Sequence, residues 1–320
     1  MSQKRILQHG PLAPPLEARL RDEFAVERLP DGDARAAFLA ARGAEFEGLV
    51  TSGGFGADAA LLDALPSLQV ISSFGVGIDR VDLHAAAARG VAVGHTPDVL
   101  NDCVADLAFG LLIDVARGLS ACDRFVRRSD WVRSKMPLAT RVSGKRLGIV
   151  GMGRIGRAIA MRSVGFDMAV RYHSRSPVAE TDYRHEPSLV ELARWCDFLI
   201  VIVPGGPATQ HLISAEVIDA LGPQGFLINI ARGSVVDEDA LVRALRERRI
   251  AGAGLDVYAD EPNVPAALFE LDNVVLLPHV GSATHETREA MAELTFHNLQ
   301  SWFAEGRLVA AAPLPVLEQR

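Results

Sequence analysis

Two sets of residues in this sequence have the types and spacing to do chemistry. The first is Gly151-Met-Gly-Arg-Ile-Gly156, which follows the apolar run Arg146–Val150 directly and opens a stretch of helical period over Arg154–Val164, closing at Gly165. In a strand, turn and helix of this spacing, Gly151 permits the tight turn, Gly153 lets the backbone approach a pyrophosphate, and Gly156 lets helix and strand pack closely. The phosphate charge is met by the helix N-terminus. The second set lies in three later segments, Ile228-Asn-Ile-Ala-Arg-Gly-Ser-Val-Val-Asp-Glu238, Gly254-Leu-Asp-Val-Tyr-Ala-Asp-Glu-Pro262 and Leu277-Pro-His-Val-Gly-Ser-Ala-Thr284. Each follows or closes a candidate strand. Ligands of α/β sheets bind at the carboxyl ends of parallel strands, so Arg232, Glu261 and His279 can converge on one crevice.

The dinucleotide reading carries a second expectation. If the ligand is NAD, the next strand should end, ~20 residues on, in a carboxylate that accepts the ribose 2′-hydroxyl. Here it ends in Tyr172-His-Ser-Arg-Ser176, and Asp167 lies before Met168, at the strand's wrong end. With no carboxylate to repel a 2′-phosphate, and with Arg175 and two hydroxyls as donors, the position favours NADP(H), with NAD(H) as the alternative.

The elements that must position these residues read as alternating short apolar runs and longer stretches of helical period, the pattern of βαβ units. One series has strands at Arg5–His9, Gly48–Ser52, Gln69–Phe74 and Val91–Gly94, with helices such as Ala57–Leu65 and Leu83–Arg89. The other has strands at Arg146–Val150, Met168–Tyr172, Phe198–Val203, Phe226–Ile230, Gly252–Val257 and Val274–Leu277. A helical connector over Val99–Arg128, entered through Thr96-Pro-Asp98, joins them. A late helix, Thr284–Phe303, with an apolar stripe through Met291, Leu294, Leu299 and Trp302, is placed to return the chain to the first domain.

With 320 residues the chain is long enough for two domains, and 49% apolar against 23% charged residues is the balance of a globular protein. The net charge of −7 argues against nucleic acid or acidic membrane surfaces as partners. Cys103, Cys122 and Cys196 lack any close pairing, and the histidines lack metal-ligand spacing, so neither a disulfide framework nor a metal is expected. Neither a signal peptide nor an apolar span of membrane length is read, so a cytoplasmic protein is expected.

In combination these segments resemble the D-isomer-specific 2-hydroxyacid dehydrogenases over almost the whole chain. Phe74-Gly-Val-Gly-Ile-Asp79 and Asn101-Asp-Cys-Val-Ala-Asp106 add to the likeness, although Asp106 stands where many members carry Glu. Tyr172-His-Ser-Arg-Ser176, Val203-Pro-Gly-Gly206 and Glu261-Pro-Asn-Val-Pro265 are most similar to NADPH-dependent hydroxypyruvate and glyoxylate reductases, hydroxyphenylpyruvate reductases included. The resemblance implies an α/β fold of two Rossmann-like doubly wound parallel-sheet domains with a cleft between them. Residues 1–99 plus 288–320 would form the substrate-binding domain and residues 100–287 the NADP(H)-binding domain.

It further implies hydride transfer to a small 2-oxoacid, giving the D-2-hydroxy acid. The alkoxide formed needs a proton, which His279 supplies; Glu261, which the resemblance sets beside it, favours the imidazolium. Arg232 holds the carboxylate with its planar fork and polarises the keto oxygen. Val76 and Gly77 would form a main-chain nest for the same carboxylate, or simply a turn. The implied cofactor contacts are Gly151, Met152, Gly153, Arg154, Ile155 and Gly156; His173, Ser174, Arg175 and Ser176; Val203, Pro204 and Thr209; and Ile230, Asp256 and Gly281. Trp131, Met136 and Leu138 would line a substrate pocket, their own or that of a neighbouring subunit in a homodimer, or else belong to the core. The alternatives are an NAD-dependent member of the family and a non-catalytic, dinucleotide-sensing protein of the corepressor kind; the intact trio of Arg232, Glu261 and His279 favours catalysis.

Overall fold

Short β-branched and aliphatic runs become the buried strands of two wholly parallel sheets in a computed structural model, which describes residues 3–179 and 181–315. The chain divides into two units, Met1–Leu100 with Thr284–Arg320, and Asn101–Ala283. Residues 284–287, placed with the second domain by the sequence reading, are the cap and first turn of the late helix and go with the first unit.

The first unit holds strands β1 (Arg5–Gln8), β2 (Ala25–Arg28), β3 (Gly48–Ser52), β4 (Val70–Phe74) and β5 (Ala92–Gly94), in the order β2-β1-β3-β4-β5. Strand β2 is absent from the sequence reading because it is a half-exposed edge with charged Glu27 and Arg28, not an apolar run; Glu27 instead pairs with Arg5 of β1 at 2.6 Å. One face of the sheet packs Leu7, Leu49, Ile71 and Val93 into a core with Leu61 and Leu62. The helix His285–Glu305, capped by Thr284, lies against β4. Its buried face departs from the expected stripe: Leu294 and Trp302 are half-buried, while Thr295 and Asn298 are buried. Their partners explain this. The Ser72 hydroxyl donates to Thr295 O (2.8 Å), and the Asn298 amide donates to His95 O (3.1 Å) and accepts from the Ala310 N–H (2.9 Å).

The second unit holds β6 (Arg146–Val150), β7 (Ala169–His173), β8 (Arg184–His185), β9 (Phe198–Val201), β10 (Phe226–Asn229), β11 (Gly252–Leu255) and β12 (Val274–Leu276), in the order β12-β11-β10-β9-β6-β7-β8. This is the doubly wound arrangement, and the strand order reverses between β6 and β9, the switch point at which such sheets bind ligands. The two residues of β8 are too few for any periodicity to reveal. The connector is two helices, Asn101–Arg117 and Leu119–Arg127, because Gly118 adopts the left-handed conformation (φ 65) that ends the first. The helix Arg154–Ser163 passes into a tighter turn, Val164–Phe166, and the stop is Asp167 (φ 53) in place of Gly165. Asp106 accepts from Arg162 Nε at 2.6 Å, a contact within reach of its short side chain.

Candidate active site

At the switch point the three motif glycines have three different reasons to be there. Gly151 follows β6 at φ 104, and a Cβ on it would lie 2.5 Å from Ile202 O. Gly156 is buried, and its Cβ would lie 2.0 Å from Gly151 O. Gly153 caps the helix at φ −76, and nothing lies within 4 Å of its would-be Cβ. The protein's own packing therefore does not require glycine at 153. Open space beside the first-turn N–H groups is what a pyrophosphate requires, so the loop fits a dinucleotide. Met152 is 2% exposed and its side chain belongs to the core, while Ile155 is half-buried and Arg154 exposed.

Strand β7 ends at His173, whose carbonyl accepts the Gly151 N–H at 2.9 Å. The turn that follows is polar: Ser174 is half-buried, Arg175 and Ser176 are exposed, and the Ser174 hydroxyl donates to Ser176 O at 2.6 Å. Asp167 sits before β7, at the far end of the strand. Beyond β9, Val203 is half-buried and Pro204 exposed, and the Thr209 hydroxyl donates to Pro204 O at 2.7 Å. Ile230 is buried with its N–H donated to Val201 O, so any backbone contact to a ligand falls to its carbonyl.

The carboxyl ends of β10, β11 and β12 bring Arg232, Asp256, Glu261 and His279 together. His279 Nδ1 lies 2.7 Å from Glu261 Oε2, with the imidazole about half exposed (47%) and Glu261 less so (29%). Burial alone would raise the Glu261 carboxyl. The hydrogen bond and charge of His279, the Tyr258 N–H and the charge of Arg232 outweigh it and hold the carboxyl below its ordinary value. Arg232 thus acts on the same carboxylate as His279. Glu261 offers Nδ1 of the imidazole an acceptor, and a guanidinium nearby can grip an anion.

The supports are buried and polar. Asn229 bridges the turn before Arg232, donating to Arg232 O (3.0 Å) and accepting from the Ala231 N–H (3.1 Å). His279 has left-handed backbone (φ 52), an unfavourable state for a residue with a Cβ that persists only when its surroundings impose it. They do: Asp256, 2% exposed, accepts the Val280 N–H on Oδ1 (2.7 Å) and the Gly281 N–H on Oδ2 (2.8 Å). Burial still pushes the Asp256 carboxyl upward, despite those N–H groups and the charge of His279. The Tyr258 hydroxyl donates to Leu277 O at 2.9 Å, tying the segment before His279 to the core. Sequence reasoning missed these positioning roles of Asn229 and Tyr258 and read Asp256 as a cofactor contact or a strand-end cap; an Asn closing an apolar strand just before the Arg was the available signal.

Val76 and Gly77 belong to the first unit, in a turn fixed by His95 Nδ1 on Val76 O (3.1 Å) and by the Thr96 N–H on Gly75 O (2.9 Å). Trp131 (69% exposed) and Leu138 (102%) are no part of the core of their unit, contrary to one expectation, and Met136 is half-buried. Among the described residues no group of three or more His, Cys, Asp or Glu side chains is placed to hold a metal ion, and no helix is long and apolar enough to cross a membrane.

Comparison with known proteins bears on what this geometry serves. Residues 109–281 match the family model of the D-isomer specific 2-hydroxyacid dehydrogenase, NAD binding domain. The chain is 50% identical to a hydroxyphenylpyruvate reductase of Plectranthus scutellarioides, over 93% of this chain and 96% of that one. It is 44% identical to a glyoxylate/hydroxypyruvate reductase A of Arabidopsis thaliana, with the same coverage. Among solved structures, an NADPH-dependent glyoxylate/hydroxypyruvate reductase from Sinorhizobium meliloti, in complex with NADP and malonate, matches with a TM-score of 0.93 and 44% identity, covering 100% of this chain and 99% of that one. The chain belongs to the family of D-isomer specific 2-hydroxyacid dehydrogenases.

Proposed function

We propose that the protein reduces small 2-oxoacids of the hydroxypyruvate and glyoxylate type, aryl pyruvates such as hydroxyphenylpyruvate included, to D-2-hydroxy acids, with NADP(H) preferred and NAD(H) tolerated. The observation that carries this reading is the His279–Glu261 pair at 2.7 Å with Arg232 acting on the same carboxylate, all beyond the carboxyl ends of strands in the sheet whose β6 leads into the glycine turn. The relatives named for glyoxylate, hydroxypyruvate and hydroxyphenylpyruvate support the substrate class.

The glycine turn Gly151–Gly156 would hold the pyrophosphate, with Val203, Pro204, Thr209, Ile230 and Gly281 along the rest of the dinucleotide and Asp256 near the carboxamide. A bound nicotinamide supplies the hydride. Arg232 grips the substrate carboxylate bidentately and polarises the keto oxygen, and negative charge growing on that oxygen is met by the guanidinium. His279 donates the proton from Nε2, since Nδ1 faces Glu261; in the reverse direction the neutral imidazole accepts it. The Val76–Gly77 turn is assigned to the same carboxylate through its N–H groups. Ser174, Ser176 and above all Arg175 are assigned to the 2′-phosphate, and the absence of a carboxylate from residues 172–179 supports that choice.

Leu119, Val126, Trp131, Val132 and Leu138 are all exposed within twenty residues of chain, and covering such apolar side chains favours a homodimer in which the 131–138 segment is covered by the partner. Cys103, Cys122 and Cys196, none of them in a disulfide among the described residues, suit a reducing, cytoplasmic setting. The direct test is a panel of hydroxypyruvate, glyoxylate and 4-hydroxyphenylpyruvate with each reduced nicotinamide, followed by loss of absorbance. Turnover with NADPH is expected, and cofactor binding without any turnover would replace the enzyme with a dinucleotide-sensing protein.

A further inference from the structure

The turn assigned to the 2′-phosphate is held by a reciprocal pair of histidines, and the role inferred for one of them rests on that assignment. His173 Nδ1 lies 3.0 Å from Glu186 O, and His185 Nε2 lies 3.0 Å from Ser174 O. A carbonyl oxygen can only accept, so both of these ring nitrogens carry hydrogen and both tautomers are set by the backbone. Each histidine grips the carbonyl of the residue that follows the other, and the two rings lie 6.4 Å apart and nearly parallel (14°). The far side of the turn is closed by the Val178 N–H, which donates to the Tyr172 hydroxyl at 2.9 Å.

This bracket decides which way a main-chain donor points. Gly151 N–H donates to His173 O, so that carbonyl faces β6; Ser174 O accepts from His185, so the next carbonyl faces β8. In a planar trans peptide the C=O of one residue and the N–H of the next point in opposite directions. With the Ser174 carbonyl held toward β8, the Arg175 N–H is directed toward β6 and its glycine turn. Without that anchor the peptide between Ser174 and Arg175 lies in a partly exposed turn and can rotate.

We propose that His185 is a positioning residue for cofactor choice: by holding the Ser174 carbonyl it aims the Arg175 main-chain N–H, alongside the guanidinium of the same residue, at the 2′-phosphate of NADP(H). Two residues of edge strand are enough for this task, because β8 need only bring one imidazole beside one carbonyl.

Calorimetric binding of NADP+, NAD+ and 2′,5′-ADP to the full chain tests it. The wild-type protein is expected to bind NADP+ more tightly than NAD+; if it does not, the assignment of the turn fails whatever His185 does. Given that preference, His185→Leu should weaken NADP+ and 2′,5′-ADP about tenfold, the loss of one charge-assisted hydrogen bond, and leave NAD+ within about twofold. His185→Gln, whose amide N–H can reach the same carbonyl, should restore most of the affinity. In turnover the loss should fall on KM for NADPH and spare kcat. An unchanged ratio of NADP+ to NAD+ affinity in His185→Leu, or equal weakening of both, overturns the inference and leaves the assignment standing. Should that variant fail to fold, the wild-type amide resonance of Arg175 serves: it should move downfield with 2′,5′-ADP and stay in place with 5′-AMP, and equal movement with both overturns the inference.

Discussion

At the Arg232–His279 end of the second sheet the functional side chains stand on buried polar supports, whereas at the His173–Ser176 end they ride on an exposed turn held by single hydrogen bonds. Asn229 and Asp256 are 1% and 2% exposed, and each satisfies two partners on the turns that carry Arg232 and His279. Removing either leaves buried N–H or C=O groups unmet, at a cost of about 1–3 kcal/mol each. Arg175 and Ser176 are exposed, on a turn whose main chain His185 and the Tyr172 hydroxyl each hold by one contact. The end proposed to do the chemistry is thus over-determined by the fold, while the end proposed to tell one cofactor from another can change without disturbing it.

The largest test of that contrast is Arg232→Ala. In the proposed mechanism, loss of the guanidinium removes both the carboxylate anchor and the stabilisation of developing oxyanion charge, and removing one such donor costs about 10²–10³-fold in rate. We expect kcat/KM for hydroxypyruvate to fall by at least that much with NADPH and NADH alike; a near-wild-type rate would remove Arg232 from the site. At the other end, Arg175→Ala should lower kcat/KM for NADPH by roughly 10–100-fold and leave NADH almost unaffected, since a hydrogen bond to a charged group contributes about 1.5–3 kcal/mol. Equal losses with both cofactors would mean that the turn does not read the 2′ position.

Between these two ends, the glycine turn offers a smaller effect with a clean control. Gly153→Ala meets no atom of the protein at an ordinary φ of −76, so its melting temperature should equal that of the wild type. Its methyl group nevertheless occupies the approach to the pyrophosphate, and both NADP+ and NAD+ should weaken by about tenfold. Gly156→Ala would set a Cβ 2.0 Å from Gly151 O and should instead lower stability, by about 1–3 kcal/mol. A destabilised Gly153→Ala protein with unchanged affinity would reverse the roles of the two positions.

How much of this was legible in the sequence follows the same division. The glycine motif could be read because its spacing between strand and helix is local in the chain: Gly151 and Gly156 answer steric demands of their neighbours, and Gly153 leaves open the space a pyrophosphate needs. The placement of Arg232, Glu261 and His279 beyond strand ends was legible because each follows a candidate strand in the chain. Neither local sterics nor periodicity announces Asn229, Asp256 or Tyr258 as supports, since their partners are backbone atoms reached only after the strands pair. His185 is hidden for the same reason, on a strand two residues long. Edge strand β2, with Glu27 paired to Arg5 on the neighbouring strand, and the helix break at Gly118 were likewise invisible to a count of apolar residues.

The smallest expected effect bears on the Glu261–His279 pair through stability. The Glu261 carboxyl is held below its ordinary value in the folded chain, so the folded state binds its proton less readily than the unfolded chain does. Stability rises with pH wherever the unfolded state binds more protons. The contribution is therefore complete above the ordinary carboxyl range and is lost as pH falls through the lowered value. Because both side chains are partly exposed (29% and 47%), solvent screening keeps the effect modest. Glu261→Gln should accordingly melt below the wild type at neutral pH, and the two melting temperatures should converge as the pH is brought down through the acid range. A gap that stays constant with pH would mean that Glu261 stabilises the fold by packing alone, and that its charge is not what holds His279 in place.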